Sequence, residues 1–166
     1  MRVLLRIIKS IRTTYCTTLA KWTLGDNGDI KANRLTILTK RTKVGRNVHF
    51  NGMRVVGKGE VYFGNNFHSG KNCQIITDIH NYHGSKLPYD EKIISKNVII
   101  HDNVWLGNNV IILGGVEIGE GAIIQAGSVV VKNIDTLAIA GGHPAMQFSM
   151  RDAEHYFRLK ENKMFF

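Results

Sequence analysis

A repeat of six residues runs in register from Ile94 to Ile134. The first position of each hexad is aliphatic: Ile94, Ile100, Leu106, Ile112, Ile118, Ile124 and Val130. The fifth position is mostly small or β-branched: Val98, Val104, Val110, Val116, Ala122, Ser128 and Ile134. Gly, Asn and Asp lie between them, and these residues turn the chain at low steric cost. A period of six matches neither a helix nor an ordinary strand. It predicts a β-helix in which each side of a coil is one short strand and one corner, with the first position inward and the fifth near the bend.

The same period begins imperfectly at Val44, slips by one residue between Val56 and Phe63, and then continues to Ile79. It fails between Ile79 and Ile94. An insertion in a solenoid maps to an exposed loop, and loops often carry function. We therefore predict a β-helix over residues 44–135 with a loop over residues 80–93. Cys73 falls at a fifth position and is predicted to be a small buried hydrophobe.

The two termini lie outside the repeat. Residues 1–40 are predicted to be helical and irregular, and basic residues interrupt the apolar ones over residues 1–24, so we expect neither a signal peptide nor a membrane span. Either this helix packs on the rest of the protein or it lies as a basic helix on an anionic membrane surface, and the two are compatible. Residues 136–166 are predicted to form a turn and a short amphipathic helix. With 43% hydrophobic content, the 166 residues are expected to make a single domain, 1–166.

The formal net charge is +9. Such a charge favours an anionic partner, for example a phosphorylated cofactor, an acidic glycan or an anionic membrane. We expect no nucleic-acid partner, because no pattern of a nucleic-acid-binding motif accompanies the charge. The two cysteines, Cys16 and Cys73, form no CxxC motif. A cytoplasmic location fits this cysteine usage, with peripheral contact at the inner face of the membrane left open.

Three further stretches carry a family resemblance beside the hexads. They are Asn103-Val-Trp-Leu-Gly107, Ala126-Gly-Ser-Val-Val-Val-Lys132 and Gly141-Gly-His-Pro-Ala145. With them the chain resembles the left-handed β-helix acetyltransferases, and among these the galactoside, maltose and xenobiotic branch. The resemblance covers roughly residues 44–150. It implies an all-β fold, a left-handed parallel β-helix with short N-terminal and C-terminal helices, a homotrimer, and acetyl-CoA bound in the cleft between adjacent prisms.

Transfer of an acetyl group to a hydroxyl needs a base for the hydroxyl proton, and imidazole suits this task near neutral pH. His80 directly precedes the predicted loop, where the family has its catalytic histidine, so the resemblance implies that His80 is the general base. His83 is the second candidate. The further residues that could orient the imidazole or bind the acceptor are Asp78, Asp90, Asn51, Tyr82 and Trp105.

The resemblance also implies a set of residues around acetyl-CoA. They are Trp105, Gly114, Ala126, Gly127, Ser128, Lys132, Gly142, Pro144 and Arg151. The small residues would let the pantetheine arm approach the backbone, and Lys132 and Arg151 would face the phosphates. Ser128 is also the fifth residue of its hexad, and this position predicts a side chain that points into the prism.

Several functions are compatible with this pattern. We expect O-acetylation of a sugar hydroxyl of a bacterial surface polysaccharide or its precursor, by direct transfer. Acetylation of a small hydroxylated compound or of an amino sugar stays open, as does a noncatalytic scaffold. Carbonic anhydrases of the same fold need three histidines on zinc. The spacing of His80, His83 and His101 does not match that pattern, so no metal is expected.

Overall fold

The computed structural model describes residues 2–25 and 29–166. Its elements in chain order are α1 (Arg2–Leu24), β1 (Ile30–Ala32), β2 (Thr42–Val44), β3 (Val48–Val56), β4 (Val61–Phe63), β5 (His68–Ile76), β6 (Asp78–His80), β7 (Ile93–Ser95), β8 (Val98–Ile100), β9 (Trp105–Leu106), β10 (Ile111–Leu113), β11 (Glu117–Ile118), β12 (Ile123–Ile124), β13 (Val129–Val130), β14 (Ala138–Gly141), β15 (Met146–Met150) and α2 (Ala153–Glu161).

The strands stack in parallel on three faces of a prism. The first face has the order β1-β3-β5-β9-β12-β14, and the third face has the order β2-β4-β8-β11. β3 and β5 bend at a corner, so their second halves continue into the second face, where β5 pairs with β10 and β10 with β13. The predicted fold class, an all-β left-handed parallel β-helix with a helix at each end, is confirmed.

The prism interior is filled by the hexad positions. Ile100, Leu106, Ile112, Ile118, Ile124 and Val130 are all fully buried at the first position, and every fifth position from Val98 to Ile134 is buried as well. Cys73 is buried as predicted, and its thiol donates to the Gly107 carbonyl at 3.1 Å. Stacked coils thus bury one continuous apolar column per face.

Two positions differ from the predicted frame. Ile94 lies in β7, outside the prism, and is only half-buried, because it still belongs to the inserted segment and the repeat resumes after it. At the slip, Val55 points inward and pairs with Ile75, whereas Val56 is exposed. The register shifts between His49 and Asn51, where β3 advances two residues while β5 advances three, so the inward position moves from Val56 to Val55.

The polar hexad residues hold the corners together. Asn47, Asn66 and Asn103 stack at the corner between the third and first faces, and each adopts a left-handed φ between 54° and 60°. Asn47 donates its amide to Asn66 Oδ1 at 3.0 Å, and Asn66 donates to Asn103 Oδ1 at 2.9 Å. Asparagine tolerates this backbone conformation better than other non-glycine residues. The corner therefore turns and is hydrogen bonded by the same side chains.

The helix α1 covers the first coil. Cys16 and Ala20 are its buried side chains, and Thr17 Oγ1 accepts the amide of Ala32 at 2.9 Å, which satisfies a donor on the edge strand β1. The predicted packing of the N-terminal helix on the body is therefore confirmed. Among the helices described, none combines the length and the apolar content that crossing a bilayer requires.

The helix α2 packs against the corner that is formed by the stacked asparagines. Asp152 caps it by accepting the amide of His155 at 2.9 Å. Tyr156 is buried and accepts the side-chain amide of Asn103 at 2.8 Å, while its hydroxyl donates to Glu120 Oε1 at 2.8 Å. The predicted C-terminal helix is present, but Phe157 is exposed and only Tyr156 is fully buried. The antiparallel hairpin of β14 and β15 was not predicted from the sequence.

Candidate active site

An inserted hairpin leaves the prism at the corner between the second and third faces. β6 and β7 pair antiparallel, with Asp78 opposite Ser95 and His80 opposite Ile93. Buried Thr77 fixes the start of this hairpin to the prism. Its amide donates to the Val56 carbonyl at 2.9 Å, and its carbonyl accepts a hydrogen bond from the amide of Lys96 at 2.8 Å. His80 is thus the last paired residue before the chain enters the exposed loop of residues 81–92.

The ring of His80 stacks on Tyr89, which lies on the returning side of the loop. The ring centroids are 3.8 Å apart and the planes differ by 15°. Both side chains are exposed, so the edge of the imidazole faces the outside of the prism. His83, the second candidate for the base, packs instead against Tyr82 with centroids 4.3 Å apart and is separated from His80 by the turn. Of the two histidines, His80 is the one that ordered strands hold in place.

The two nearby carboxylates are bonded to other groups. Asp78 Oδ1 accepts the amide of Lys58 at 2.8 Å, and this bond is the main reason that the pKa of Asp78 is lowered. Asp90 accepts the amide of Lys92 at 2.9 Å and the side-chain amide of Asn81 at 3.0 Å. The bond from Lys92 is likewise the main cause of the lowered pKa of Asp90. In the described chain, neither carboxylate is hydrogen bonded to His80.

Asn51 lies at a different corner, between the first and second faces. Its side-chain amide donates to the Ser69 carbonyl at 2.8 Å, and its Oδ1 accepts the amide of Asn33 at 3.0 Å. These bonds join neighbouring coils, so both polar atoms of Asn51 are occupied within its own chain.

Part of the predicted cofactor set lies directly below the inserted hairpin. A Cβ on Gly114 would come within 2.8 Å of the Thr77 carbonyl oxygen, so a glycine is needed there for the coils to stack. Lys132 is exposed and lies two residues after the second-face strand β13, at the same corner one coil further on. This column therefore combines a closely packed backbone with an exposed cation at the corner where the hairpin leaves the prism.

Other residues of the predicted cofactor set lie at the opposite edge of the second face, at its corner with the first face. Gly127 has a φ of +76°, and no described atom lies within 4 Å of a Cβ built there. Ala126, Gly142 and Pro144 are only partly covered or exposed around the same corner. Ser128 differs from them: it is fully buried, donates to the Gln125 carbonyl at 2.7 Å and accepts the amide of Gly142 at 3.1 Å. Its predicted inward orientation is confirmed, and its hydroxyl is used inside the coil.

Trp105 and Arg151 line a separate groove of about 540 Å³ beneath α2. Trp105 is 54% exposed and stands on strand β9 of the first face, next to His68, so its ring projects from a sheet. Arg151 donates to the Gly121 carbonyl at 3.3 Å. His68 and Lys160 also line the groove, and the sequence did not predict either. Neither the hexad repeat around His68 nor the helical pattern around Lys160 indicates that α2 packs against the first sheet.

The predicted site residues are therefore distributed around one chain. His80 is at the corner between the second and third faces, whereas Trp105 is on the outer side of the first face near the opposite corner. The groove beneath α2 does not contain His80. A single prism brings the base of the hairpin, at Thr77 and Lys96, close to Gly114 but does not bring His80 together with Trp105. Among the described residues, no three His, Cys, Asp or Glu side chains are grouped as a metal site would require.

Residues 97–132 match the bacterial transferase hexapeptide family, described as six repeats. These residues are the coils with the most regular spacing, and the rest of the chain continues their stacking. These residues of the chain carry the hexapeptide repeats of this family. The predicted resemblance of the chain to the acetyltransferases of this fold is confirmed by solved structures. No curated protein matches it by sequence comparison.

Three solved structures illustrate the likeness of the fold. A hexapeptide-repeat acetyltransferase from Vibrio cholerae is 23% identical, with a TM-score of 0.73 over 91% of this chain and 88% of the other. A galactoside acetyltransferase in complex with coenzyme A is 24% identical, with a TM-score of 0.62 over 73% and 60%. The polysialic-acid-specific acetyltransferase NeuO is 28% identical, with a TM-score of 0.56 over 75% and 62%.

Proposed function

We propose that the protein is an acetyl-CoA-dependent O-acetyltransferase that acts on a sugar hydroxyl with His80 as the general base. The observation that carries this proposal is the position of His80, whose free imidazole edge stands where an inserted hairpin leaves a hexapeptide coil, at the corner where the base of this hairpin packs on Gly114. The comparisons support the cofactor, because the galactoside acetyltransferase was solved with coenzyme A and the Vibrio cholerae protein also with acetyl-CoA.

In this proposal the acetyl group passes directly from the thioester to the acceptor. Acetyl-CoA supplies the reactive carbonyl carbon, and the acceptor oxygen forms the new C–O bond as the C–S bond breaks. One ring nitrogen of His80 takes the hydroxyl proton and returns it to the leaving thiolate, so that His80 ends the cycle unchanged. Lys132 supplies positive charge for the phosphates, and Gly127 leaves room for the pantetheine arm beside the backbone.

The site is proposed to form between neighbouring copies in a homotrimer. One prism separates His80 from Trp105 by a whole face, so a cleft containing both needs a second prism. Trp105 would then form a wall of the cleft from the neighbouring chain. Arg151 also stands on the Trp105 side, where its charge would add to that of Lys132.

The acceptor is proposed to be a bacterial surface polysaccharide or its precursor. The likeness to NeuO, which is specific for polysialic acid, and the net charge of +9 favour an extended or acidic glycan. The loop carrying Tyr82 and Tyr89 offers aromatic faces of the kind that sugar sites use. A small hydroxylated compound and an amino sugar are the competing acceptors and belong in the same assay panel.

The proposal is tested first by calorimetric titration with acetyl-CoA alone. We expect binding on the order of micromolar at one site per chain, since enzymes commonly work in that range. Release of coenzyme A is then measured against polysaccharide, simple sugar, amino-sugar and small-alcohol acceptors. His80→Ala is expected to lower transfer by about 10²–10⁴-fold with acetyl-CoA binding retained. His83→Ala is the matched control.

The opposite results have clear meanings. Unchanged turnover in His80→Ala removes His80 from the mechanism, and equal losses in both variants point to a general role of the loop. Absence of acetyl-CoA binding in the wild type rejects the enzyme and favours the noncatalytic scaffold.

The helix α1 is proposed to hold the enzyme at an anionic membrane surface. Leu4, Ile8, Ile11, Tyr15 and Trp22 follow helical spacing and are all exposed, on the face turned away from buried Cys16 and Ala20. The helix contains no acidic residue, and its cations, Arg6, Lys9, Arg12 and Lys21, lie outside the apolar stripe. An exposed apolar stripe on a basic helix suits the boundary of an anionic bilayer.

Sedimentation with vesicles tests this placement. The wild type is expected to bind phosphatidylglycerol-containing vesicles and to bind phosphatidylcholine vesicles weakly. A variant with Ile8→Ser and Ile11→Ser is expected to lose binding, whereas Leu87→Ser, a change at an exposed apolar loop residue, is expected to keep it. If the double variant instead alters the oligomeric state and no vesicle binds, the stripe is an interface between copies.

A further inference from the structure

The imidazole of His80 is in close contact with the ring of Tyr89. The centroid distance of 3.8 Å and the angle of 15° describe a face-to-face stack. None of the side-chain hydrogen bonds of the described residues involves either ring nitrogen of His80. The stack therefore restricts the plane of the imidazole while the nitrogens at its edge stay accessible.

A catalytic histidine is commonly oriented by a carboxylate on its other nitrogen. Here the two candidate carboxylates accept hydrogen bonds from other groups. Asp78 accepts from the amide of Lys58, and Asp90 accepts from the amide of Lys92 and the side-chain amide of Asn81. Orientation of His80 in this chain must come from another group, and Tyr89 is the one in contact.

The loop is built so that Tyr89 returns beside His80. Their chain neighbours, Asn81 and Asp90, are hydrogen bonded twice, from Asn81 Nδ2 to Asp90 Oδ2 at 3.0 Å and from the Asp90 amide to the Asn81 carbonyl at 3.3 Å. A Cβ on Gly84 would lie 1.9 Å from Asp90 Oδ2, so no other residue fits at that turn. The clamp between Asn81 and Asp90 places the adjacent pair, His80 and Tyr89, side by side.

We propose that Tyr89 is a positioning residue that fixes the ring plane of His80 by stacking. This inference rests on the proposed function, because positioning has a catalytic meaning only if His80 is the base. The aromatic face of Tyr89 is the part that acts, and its hydroxyl is dispensable. A base held in the correct plane accepts the acceptor proton without first losing rotational freedom, and misplacement of a reacting group typically costs about 10²-fold in rate.

The test compares Tyr89→Phe with Tyr89→Leu, using Leu87→Ala as the control because Leu87 is an almost fully exposed residue of the same loop. With the best acceptor of the panel, Tyr89→Phe is expected to keep wild-type turnover. Tyr89→Leu is expected to lower kcat by about 10–100-fold with an unchanged KM for acetyl-CoA. Leu87→Ala is expected to leave kcat near the wild-type value.

Nuclear magnetic resonance of the free protein reports the stack without any turnover. The ring protons of His80, assigned by their absence in His80→Gln, are expected to be shifted upfield by the ring current of Tyr89. Tyr89→Phe retains this shift and Tyr89→Leu removes it. If Tyr89→Leu keeps both the shift and the turnover, the positioning role is rejected.

The two proposals fail separately. If the wild type neither binds acetyl-CoA nor releases coenzyme A, the proposed function is rejected, and the positioning role is rejected with it even where the ring-current shift is present. If the wild type is active and both Tyr89 variants are equally active, only the positioning role is rejected. Loss of activity in Tyr89→Phe as in Tyr89→Leu also overturns it, since the hydroxyl would then be the working group.

Discussion

His68 is a residue whose protonation the folded chain resists. Burial on the first face and, next, the neighbouring His49, whose ring centroid is 4.3 Å away, lower the pKa of His68 to about 4. The pKa of His49 is lowered too, first by burial and then by the charge of Lys31. The pKa of a histidine in an unfolded chain is about 6.5. Between these values the unfolded chain binds more protons than the folded chain, so acid favours unfolding.

Stability is therefore expected to fall as the pH decreases from about 6.5 to about 4, and His68→Gln is expected to reduce this dependence. The measurement is the denaturation midpoint of wild type and variant at pH 7.5 and 4.5. His83→Gln, a change in the exposed loop, is the control for loss of a histidine as such. An identical pH dependence in His68→Gln and wild type would contradict the role assigned to burial.

At the same scale, the catalytic candidate could be predicted from the sequence, but its surroundings could not. His80 was marked by the end of the six-residue period and by the family resemblance. Its contact with Tyr89 depends on how the loop folds back, and no spacing rule predicts which of the loop aromatics returns to the strand. The bonds of Asp78 and Asn51 with neighbouring coils were likewise hidden, because these partners are about 18–20 residues away along the chain.

At the scale of the element, the corner asparagines combine two tasks that can be separated by substitution. Asn103 has a φ of +60°, accepts from Asn66 and donates to Tyr156. Asn103→Gly removes the hydrogen bonds and keeps a compatible backbone, and it is expected to cost about 1–3 kcal/mol. Asn103→Ala adds the strain of a left-handed alanine, so it is expected to be less stable than Asn103→Gly by about 1–2 kcal/mol.

Denaturation of the two variants measures the difference. Asn109→Gly is the control, since Asn109 has a similar φ of +58° and its side chain makes no hydrogen bond in the described chain. It is expected to be near neutral. Equal stability of Asn103→Ala and Asn103→Gly would show that the left-handed conformation adds no cost at this corner.

The strands depend on the hexad frame in a different way. Ile118 is fully buried in β11, while Ile99 in the adjacent β8 points outward and is exposed. Ile118→Asp buries an unpaired charge and is expected to prevent folding, whereas Ile99→Asp is expected to leave the β-helix intact. Circular dichroism and solubility of the two variants measure this. A folded Ile118→Asp protein would contradict the inward frame.

The frame itself was predictable wherever the spacing is strict. From Ile100 to Val130 the period of six identifies the buried residue of every strand. It fails at Ile94, because an aliphatic residue at the right spacing belongs to the inserted hairpin, and at Val56, because a local register shift moves the inward position by one. Period alone cannot distinguish a coil residue from an inserted residue that happens to keep the spacing.

At the scale of the whole molecule, the prism geometry separates functional groups that the linear sequence places close together. His80 and Trp105 are 25 positions apart in the sequence, yet they stand on different sides of the prism. Stacked coils align residues along a face, not across it. A site that uses both residues must therefore draw on two copies, with the corner hairpin of one facing the first sheet of the next.

The proposed composite site predicts complementation between inactive chains. His80→Ala and Trp105→Ala are each expected to have low activity when each forms the proposed homotrimer on its own. When the two variants are refolded together or co-expressed, a cleft with an intact His80 from one chain and an intact Trp105 from its neighbour forms at roughly one interface in four under random assembly. Activity of the mixture is expected to rise to about that fraction of wild type. Differently tagged chains verify that mixed trimers have formed. If mixed trimers form and activity stays at the level of the separate variants, both residues act within one chain or Trp105 lies outside the site.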